Sequence, residues 1–402
     1  GGQPSGWPLL LCLAPAGVRD KVKPAMKLIL TVLAALVAVA CGPGTASKDT
    51  AREEAPLPTP PPFDDHVRLD PRLTADLKLV PEAFRTVSLT EGKDVDSLAF
   101  WAGPEGPPWL LVTQKDLSYI LVLDATTGEL LDTVGGMGEE LGKFNRPNGL
   151  AVVDDLVLAV ERDSRRVQVL RLPDFEPLGT FGEDVLQFPY GVAVDRPGEW
   201  YEAYVTDSFD SPEHEPPTPE TAANRVRHFR FRSTEKGLET ELVRSFGEPT
   251  GPGALYRVES LVIDRPLGRL YLADESRQRL NLKAYSLEGE FLGKTFGDGV
   301  HYREPEGIVL LACGPEEKRE GFLIVADQTQ PSRFLVYGRQ DLDFLGGFTG
   351  EPTIDITDGI AFTSMSGVGP GGMFYATHHD VQVIGYRWPD VAEAMGFPDD
   401  CR

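Results

Sequence analysis

Gly149-Leu150-Ala151-Val152-Val153, then Val157-Leu158-Ala159-Val160, then Val167-Gln168-Val169-Leu170, is the stretch whose reading decides the fold. It runs as a small residue opening an alternating strand, a second strand ending in a polar turn, and a third strand. The same unit recurs on both sides. Ser97-Leu98-Ala99-Phe100-Trp101 is followed by Leu110-Leu111-Val112-Thr113 and Tyr119-Ile120-Leu121-Val122-Leu123. Gly191-Val192-Ala193-Val194-Asp195 leads to Ala203-Tyr204-Val205-Thr206-Asp207, and Ser260-Leu261-Val262-Ile263-Asp264 to Leu270-Tyr271-Leu272-Ala273-Asp274. Gly307-Ile308-Val309-Leu310-Leu311 and Gly359-Ile360-Ala361-Phe362 open two more.

Units starting at residues 97, 149, 191, 260, 307 and 359 recur roughly every 40–50 residues, the period of propeller blades. The small openers suit inner strands crowded round an axis. Glycine and proline number 42 and 34 of 402 residues, which favours many turns over long helices. A helical apolar period holds only in the short tail 389–397. The longest gap between units contains residues 211–221, rich in Pro and Glu, read as a surface loop. Residues 84–89 are expected to pair with the last unit and close the ring. The expected fold is all-β, a six-bladed β-propeller.

Ahead of this domain, Met26 is the first plausible start, so residues 1–25 read as upstream translation. Met26-Lys27, the apolar run 28–40 and Cys41 form a secretory signal, 26–41, too short for a bilayer that needs about 20 residues. Ala38-Val39-Ala40-Cys41 fits a lipobox, which favours a lipid anchor on Cys41 over plain cleavage near Ala40. Residues 42–75, including Pro56-Leu57-Pro58-Thr59-Pro60-Pro61-Pro62, read as a linker, leaving 76–402 as the folded domain. The chain is therefore expected to be exported, at a bacterial cell envelope or secreted, and to meet a membrane only through its anchor.

A net charge of −23 argues against nucleic acid as partner, yet phosphate ligands remain open if a dication intervenes. Beyond Cys12 and Cys41 only Cys313 and Cys401 remain, compatible with a disulfide or with two thiols. No CxxC or His/Cys cluster offers a zinc site, and no Ser-His-Asp or Cys-His set stands out.

Two resemblances follow. Phe144-Asn145-Arg146-Pro147-Asn148-Gly149-Leu150-Ala151-Val152 with Arg165-Arg166-Val167-Gln168-Val169-Leu170 resembles an NHL repeat, as does Leu270-Tyr271-Leu272-Ala273-Asp274-Glu275-Ser276. The more specific one runs from about Asp96 to Phe397. Glu306-Gly307-Ile308, the run Gly321-Phe322-Leu323-Ile324-Val325-Ala326-Asp327-Gln328, and Thr357-Asp358-Gly359-Ile360 resemble segments of the calcium-dependent β-propeller phytases. So do Asp96 before Leu98-Ala99-Phe100-Trp101 and the tail Trp388-Pro389-Asp390-Val391-Ala392-Glu393-Ala394-Met395-Gly396-Phe397.

That resemblance implies an acidic face holding Ca2+, with metal-ligand roles for Asp96, Tyr190, Glu259, Glu275, Glu304, Glu306, Gln328 and Asp358. It places Lys115 and Arg162, with Tyr190 beside them, against substrate phosphate as catalytic residues. It also marks a departure: where the family has lysine after a V-T-G turn, this chain has Val205-Thr206-Asp207-Ser208, losing a phosphate contact and introducing an acid.

The residues themselves support an ion site independently. Asp96, Glu259, Glu306 and Asp358 each directly precede an inner strand, so the propeller brings them to one ring. Ionised together they repel, and a dication with oxygen ligands removes the repulsion. It would also invert the field met by phosphate, polarise phosphoryl oxygens and lower the pKa of water. Each acid alone reads equally well as a turn cap. The His378-His379 pair stays unassigned, because strand neighbours point to opposite faces.

The expected activity is calcium-dependent phosphomonoester hydrolysis of phytate or a related inositol phosphate by a monomer. The alternatives are a non-catalytic envelope propeller binding a protein or glycan, and a calcium-dependent lactonase or esterase.

Overall fold

The structure, a computed structural model, describes residues 75–89, 94–208, 217–235, 237–369, 371–398 and 401. The signal sequence, Cys41 and the linker apart from Ala75 lie outside the described residues, as do positions 211–216 of the expected surface loop. The described end of that loop carries a short helix, Pro219–Ala222.

Six small antiparallel sheets form a ring, as the six units required. Blade one comprises Val95–Trp101, Trp109–Gln114, Tyr119–Asp124 and Leu130–Gly135, and the other blades repeat this order. Their inner strands are Pro147–Val153, Pro189–Asp195, Val258–Asp264, Pro305–Cys313 and Ile360–Thr363. Each touches the next, and the last touches Val95–Trp101. The core is a set of six apolar layers, one between each pair of neighbouring blades. Leu111 and Val122 of blade one meet Val157 and Ala159 of blade two; Phe334 of blade five meets Phe374 of blade six. Blades bury both faces this way, which is why strands such as Trp109–Gln114, Tyr119–Asp124 and Leu156–Glu161 are nearly continuous apolar runs.

Two local features position the site. Inner strands approach so closely that a Cβ on Gly191 would fall on the Glu259 carbonyl, and one on Gly359 on that of Asp96. Five inner strands also carry a bulge at the same place: the register shifts between Val95 and Leu98, Pro147 and Leu150, Pro189 and Val192, Val258 and Leu261, and Pro305 and Ile308. A bulge turns two successive residues the same way. The second of each pair (Ser97, Gly149, Gly191, Ser260, Gly307, with Gly359 in blade six) lines an axial channel, and the first lines the cavity at its mouth.

The ring closes with N-terminal chain. Phe84–Arg85 is the outer strand of blade six, antiparallel to Gln382–Arg387, in the position expected from residues 84–89. A strand absent from the sequence reading, Lys78–Pro81, adds in parallel to Phe344–Glu351 as a fifth strand of blade five. The tail forms the helix Trp388–Met395, whose Trp388 Nε1 donates to the Cys401 carbonyl at 2.6 Å. A disulfide joins Cys401 to Cys313, settling the thiol question at the end of the strand away from the cavity. No helix among the described residues is long and apolar enough to cross a membrane.

Candidate functional site

The bulges build a ring of six equivalent slots: Asp96, Asn148, Tyr190, Glu259, Glu306 and Asp358. A second ring follows the ends of the second strands: Lys115, Arg162, Ser208, Glu275, Gln328 and His379. Each of these residues donates its backbone N–H to the carbonyl two places before the bulge residue, on Asp94, Arg146, Phe188, Arg257, Glu304 and Ile356 respectively. The six slots, with Lys115, Arg162 and Gln328 of the second ring and Arg146, Arg257 and Glu304, line a cavity of about 230 Å³. Of the ten residues expected at the site, nine line it, and Glu275 lies fully buried in its wall.

The turn caps occupy different positions from the candidate ligands. One residue before the second ring, Glu161, Asp207, Asp274 and Asp327 accept backbone N–H groups of Asn145, Phe188, Tyr256 and Arg303 at 2.7–3.0 Å. Each meets a cation on the third strand: Arg166, Arg227, Lys283 and Arg333. His378 fills this position in blade six, its Nδ1 accepting from the Asp355 N–H at 3.0 Å. The departure at Asp207-Ser208 therefore takes a different form from the one expected. Asp207 is a buried cap that adds no charge to the cavity, and Ser208 Oγ, also buried, accepts from the Val258 N–H at 2.9 Å.

Charge in the cavity is unevenly compensated. On one side the Lys115 ammonium contacts Asp96 and lies 3.4 Å from Asp94, which also receives Arg146 at 2.7 Å. Gln328 donates to Asp358, and Arg257 holds Glu304 at 2.9 Å. Arg162 is tied to Asp163 at 2.7 Å and lies 5.0 Å over the Phe188 ring, beside Tyr190.

On the other side, Glu259, Glu275 and Glu306 present carboxylate oxygens within 4.8 Å of one another. Neither Glu275 oxygen accepts a hydrogen bond, and Arg257 Nε is 3.6 Å away. Burial, then the neighbouring carboxylates, push Glu275, Glu306 and Asp358 well above the usual carboxylate range, and Glu259 rises for the same reasons. Burial, then Glu259, pushes the Tyr190 hydroxyl up to about 12.

This triad fits a hard dication. Calcium sits about 2.4 Å from each oxygen, so two ligands of one ion stand at most about 4.8 Å apart. A buried carboxylate without hydrogen bonds costs several kcal/mol, and an ion removes that cost.

Three residues of the site were missed from sequence: Arg146, Arg257 and Asn148. Asn148 donates to Glu259 Oε1 at 2.8 Å, and its own Oδ1, buried, has no partner. Its signal was available, since it precedes Gly149 as Glu306 precedes Gly307.

No protein-family model matches the chain, and no curated protein matches it. Among solved structures it is similar to a chain in the crystal structure of the nidogen/laminin complex, at 15% identity and TM-score 0.42, covering 67% of this chain and 85% of that one. It is also similar to a chain in the crystal structure of BBS1N in complex with ARL6DN, soaked with lead, at 13% identity and TM-score 0.41, covering 71% and 76%.

Proposed function

We propose that the cavity binds calcium at Glu259, Glu275 and Glu306 and hydrolyses phosphomonoesters, with phytate or a related inositol phosphate as substrate. The observation that carries this reading is Glu275: a fully buried carboxylate with no hydrogen bond to either oxygen, facing two more carboxylates beside a cavity rimmed by arginines. The resemblance to the β-propeller phytases points the same way, through residues that occupy equivalent slots of the two rings.

A calcium ion bound there supplies a Lewis acid and lowers the pKa of water. The chain's own groups do the rest. Asn148 fixes the rotamer of Glu259. Arg162 pairs with Asp163 at the solvent edge and lies beside the Tyr190 hydroxyl, with its guanidinium held over Phe188. It is the cation best able to take a phosphate as a planar fork. Tyr190 keeps its proton and offers a donor to phosphoryl oxygen.

Phosphate release from phytate, with calcium and with chelator, tests the reading on wild type, Glu275→Gln and Arg162→Ala. Activity abolished by chelator and by Glu275→Gln, and weakened by Arg162→Ala with calcium binding intact, is the expected result. A single carboxylate cluster also suits a one-calcium lactonase or esterase, so a lactone belongs in the same assay. Calcium binding with no turnover of either substrate would leave a binding propeller. The disulfide supports export to an oxidising compartment. Fatty-acid labelling of wild type against Cys41→Ser tests the anchor.

A further inference from the structure

We infer that Lys115 is a built-in counter-cation: its ammonium takes the place of an ion among Asp94, Asp96 and Asp358 and confines divalent-ion binding to the Glu259–Glu275–Glu306 side. This rests on the reading that the cavity binds divalent ions, and it departs from the phosphate-contacting role expected of Lys115. The ammonium contacts Asp96, lies 3.4 Å from Asp94, and its side chain is 12% exposed. Burial works against its charge, yet Asp96, Glu259, Asp358 and Asp94 outweigh that and hold its pKa well above the usual lysine value. Asp358 is further engaged by Gln328, and Asp94 by Arg146. The cations of the cavity therefore differ: an ammonium sits in contact with Asp96, whereas Glu275 has only the Arg257 guanidinium, 3.6 Å away and engaged by Glu304 at 2.9 Å.

The two halves also answer differently to mutation. Taking the ammonium away leaves Asp96 without its cation, while Arg146 still holds Asp94 and Gln328 still donates to Asp358, so a second ion should enter beside Asp96. Bound calcium counted by equilibrium dialysis on the full-length protein reads this directly. One ion is expected in wild type and in Lys115→Arg, none in Glu275→Gln, two in Lys115→Met, and one in the Lys115→Met/Glu275→Gln double variant. The inference is overturned if Lys115→Met binds no more ions than wild type, or if wild type already binds two. Wild type binding none while Lys115→Met binds one would keep the inference and remove the calcium-hydrolase reading. Wild type and Lys115→Met both binding one would do the reverse. If Lys115→Met is unfolded in chelator, calcium must restore its fold; failure to do so also overturns the inference.

Discussion

Asn148 gives its amide hydrogen to Glu259 across the ring and keeps a buried oxygen without a partner. Replacing it by leucine keeps the volume and removes both contributions. Asn148→Leu should weaken calcium binding about 10–100-fold, as loss of a ligand's supporting partner does, with titration calorimetry as the measurement. An unchanged affinity would mean that Glu259 is held by packing alone. At this scale the sequence was partly legible. Asp96, Glu259, Glu306 and Asp358 were found because each stands before a small opener and an apolar run. Asn148 stands in the same slot, but asparagine before glycine reads equally well as a turn, and its partner lies 111 residues away. Lys115 was legible as a cation beside the site; which carboxylates it faces depends on blades that only folding brings together.

In blades two to five the strands repeat a buried pair that fixes how the inner strand is entered. In blade four, Asp274 caps Tyr256 and Arg257, and Lys283 Nζ meets it at 2.7 Å with both side chains fully buried. Lys283→Met leaves that carboxylate uncompensated and should cost about 3–5 kcal/mol, read by urea unfolding at constant m-value. The inner strands have a tolerance of another kind. Gly191→Ala puts a methyl against the Glu259 carbonyl and should cost about 1–3 kcal/mol through forced strand separation. It should also disturb the proposed calcium site, because the carbonyl it displaces belongs to Glu259. Blade order and inner strands were readable because the apolar period and the small openers are local signals. The caps were not, since Asp207 and Asp274 end a strand just as a turn acid would. Lys78–Pro81 escaped because four residues of mixed polarity carry no period, and only the exposed edge of blade five makes them a strand.

For the molecule as a whole, the acidic ring links stability to pH. Burial and mutual repulsion raise Glu275, Glu306, Asp358 and Glu259 above their unfolded values, near 4. Groups raised in this way stabilise the fold below the unfolded pKa, and that contribution is lost as pH rises through the folded one. In chelator, Tm should therefore fall as pH rises from about 4. Calcium should flatten the slope, and Glu275→Gln should make the chelator curve shallower. Asp327 responds the other way: burial would raise it, but Arg333 outweighs burial, so its contribution is lost only below about pH 4, outside that window. A Tm in chelator that does not fall over this range would mean that the ring carries no excess protons. The disulfide acts independently of this. Replacing Cys313 and Cys401 together by serine should cost about 2–4 kcal/mol in denaturant and leave calcium affinity unchanged, since the bridge lies at the far end of its strand from the cavity.

The two N-terminal strands, docked on blades five and six, also set the timing of folding. Residues 78–85 leave the ribosome long before their partners, 344–351 and 382–387. Blades one to four can form on local contacts as they are made, while the closing pairs wait for nearly the whole chain and carry the largest loop-closure entropy. Until then Val80 and Phe84 stay exposed and the ring stands open at one seam. The slowest step of refolding should be the zipping of that seam. A circular permutant joining the present ends and opening between blades two and three should shift the slow step to the new break while leaving the cavity, whose walls come from all six blades, to assemble only when its ring is whole.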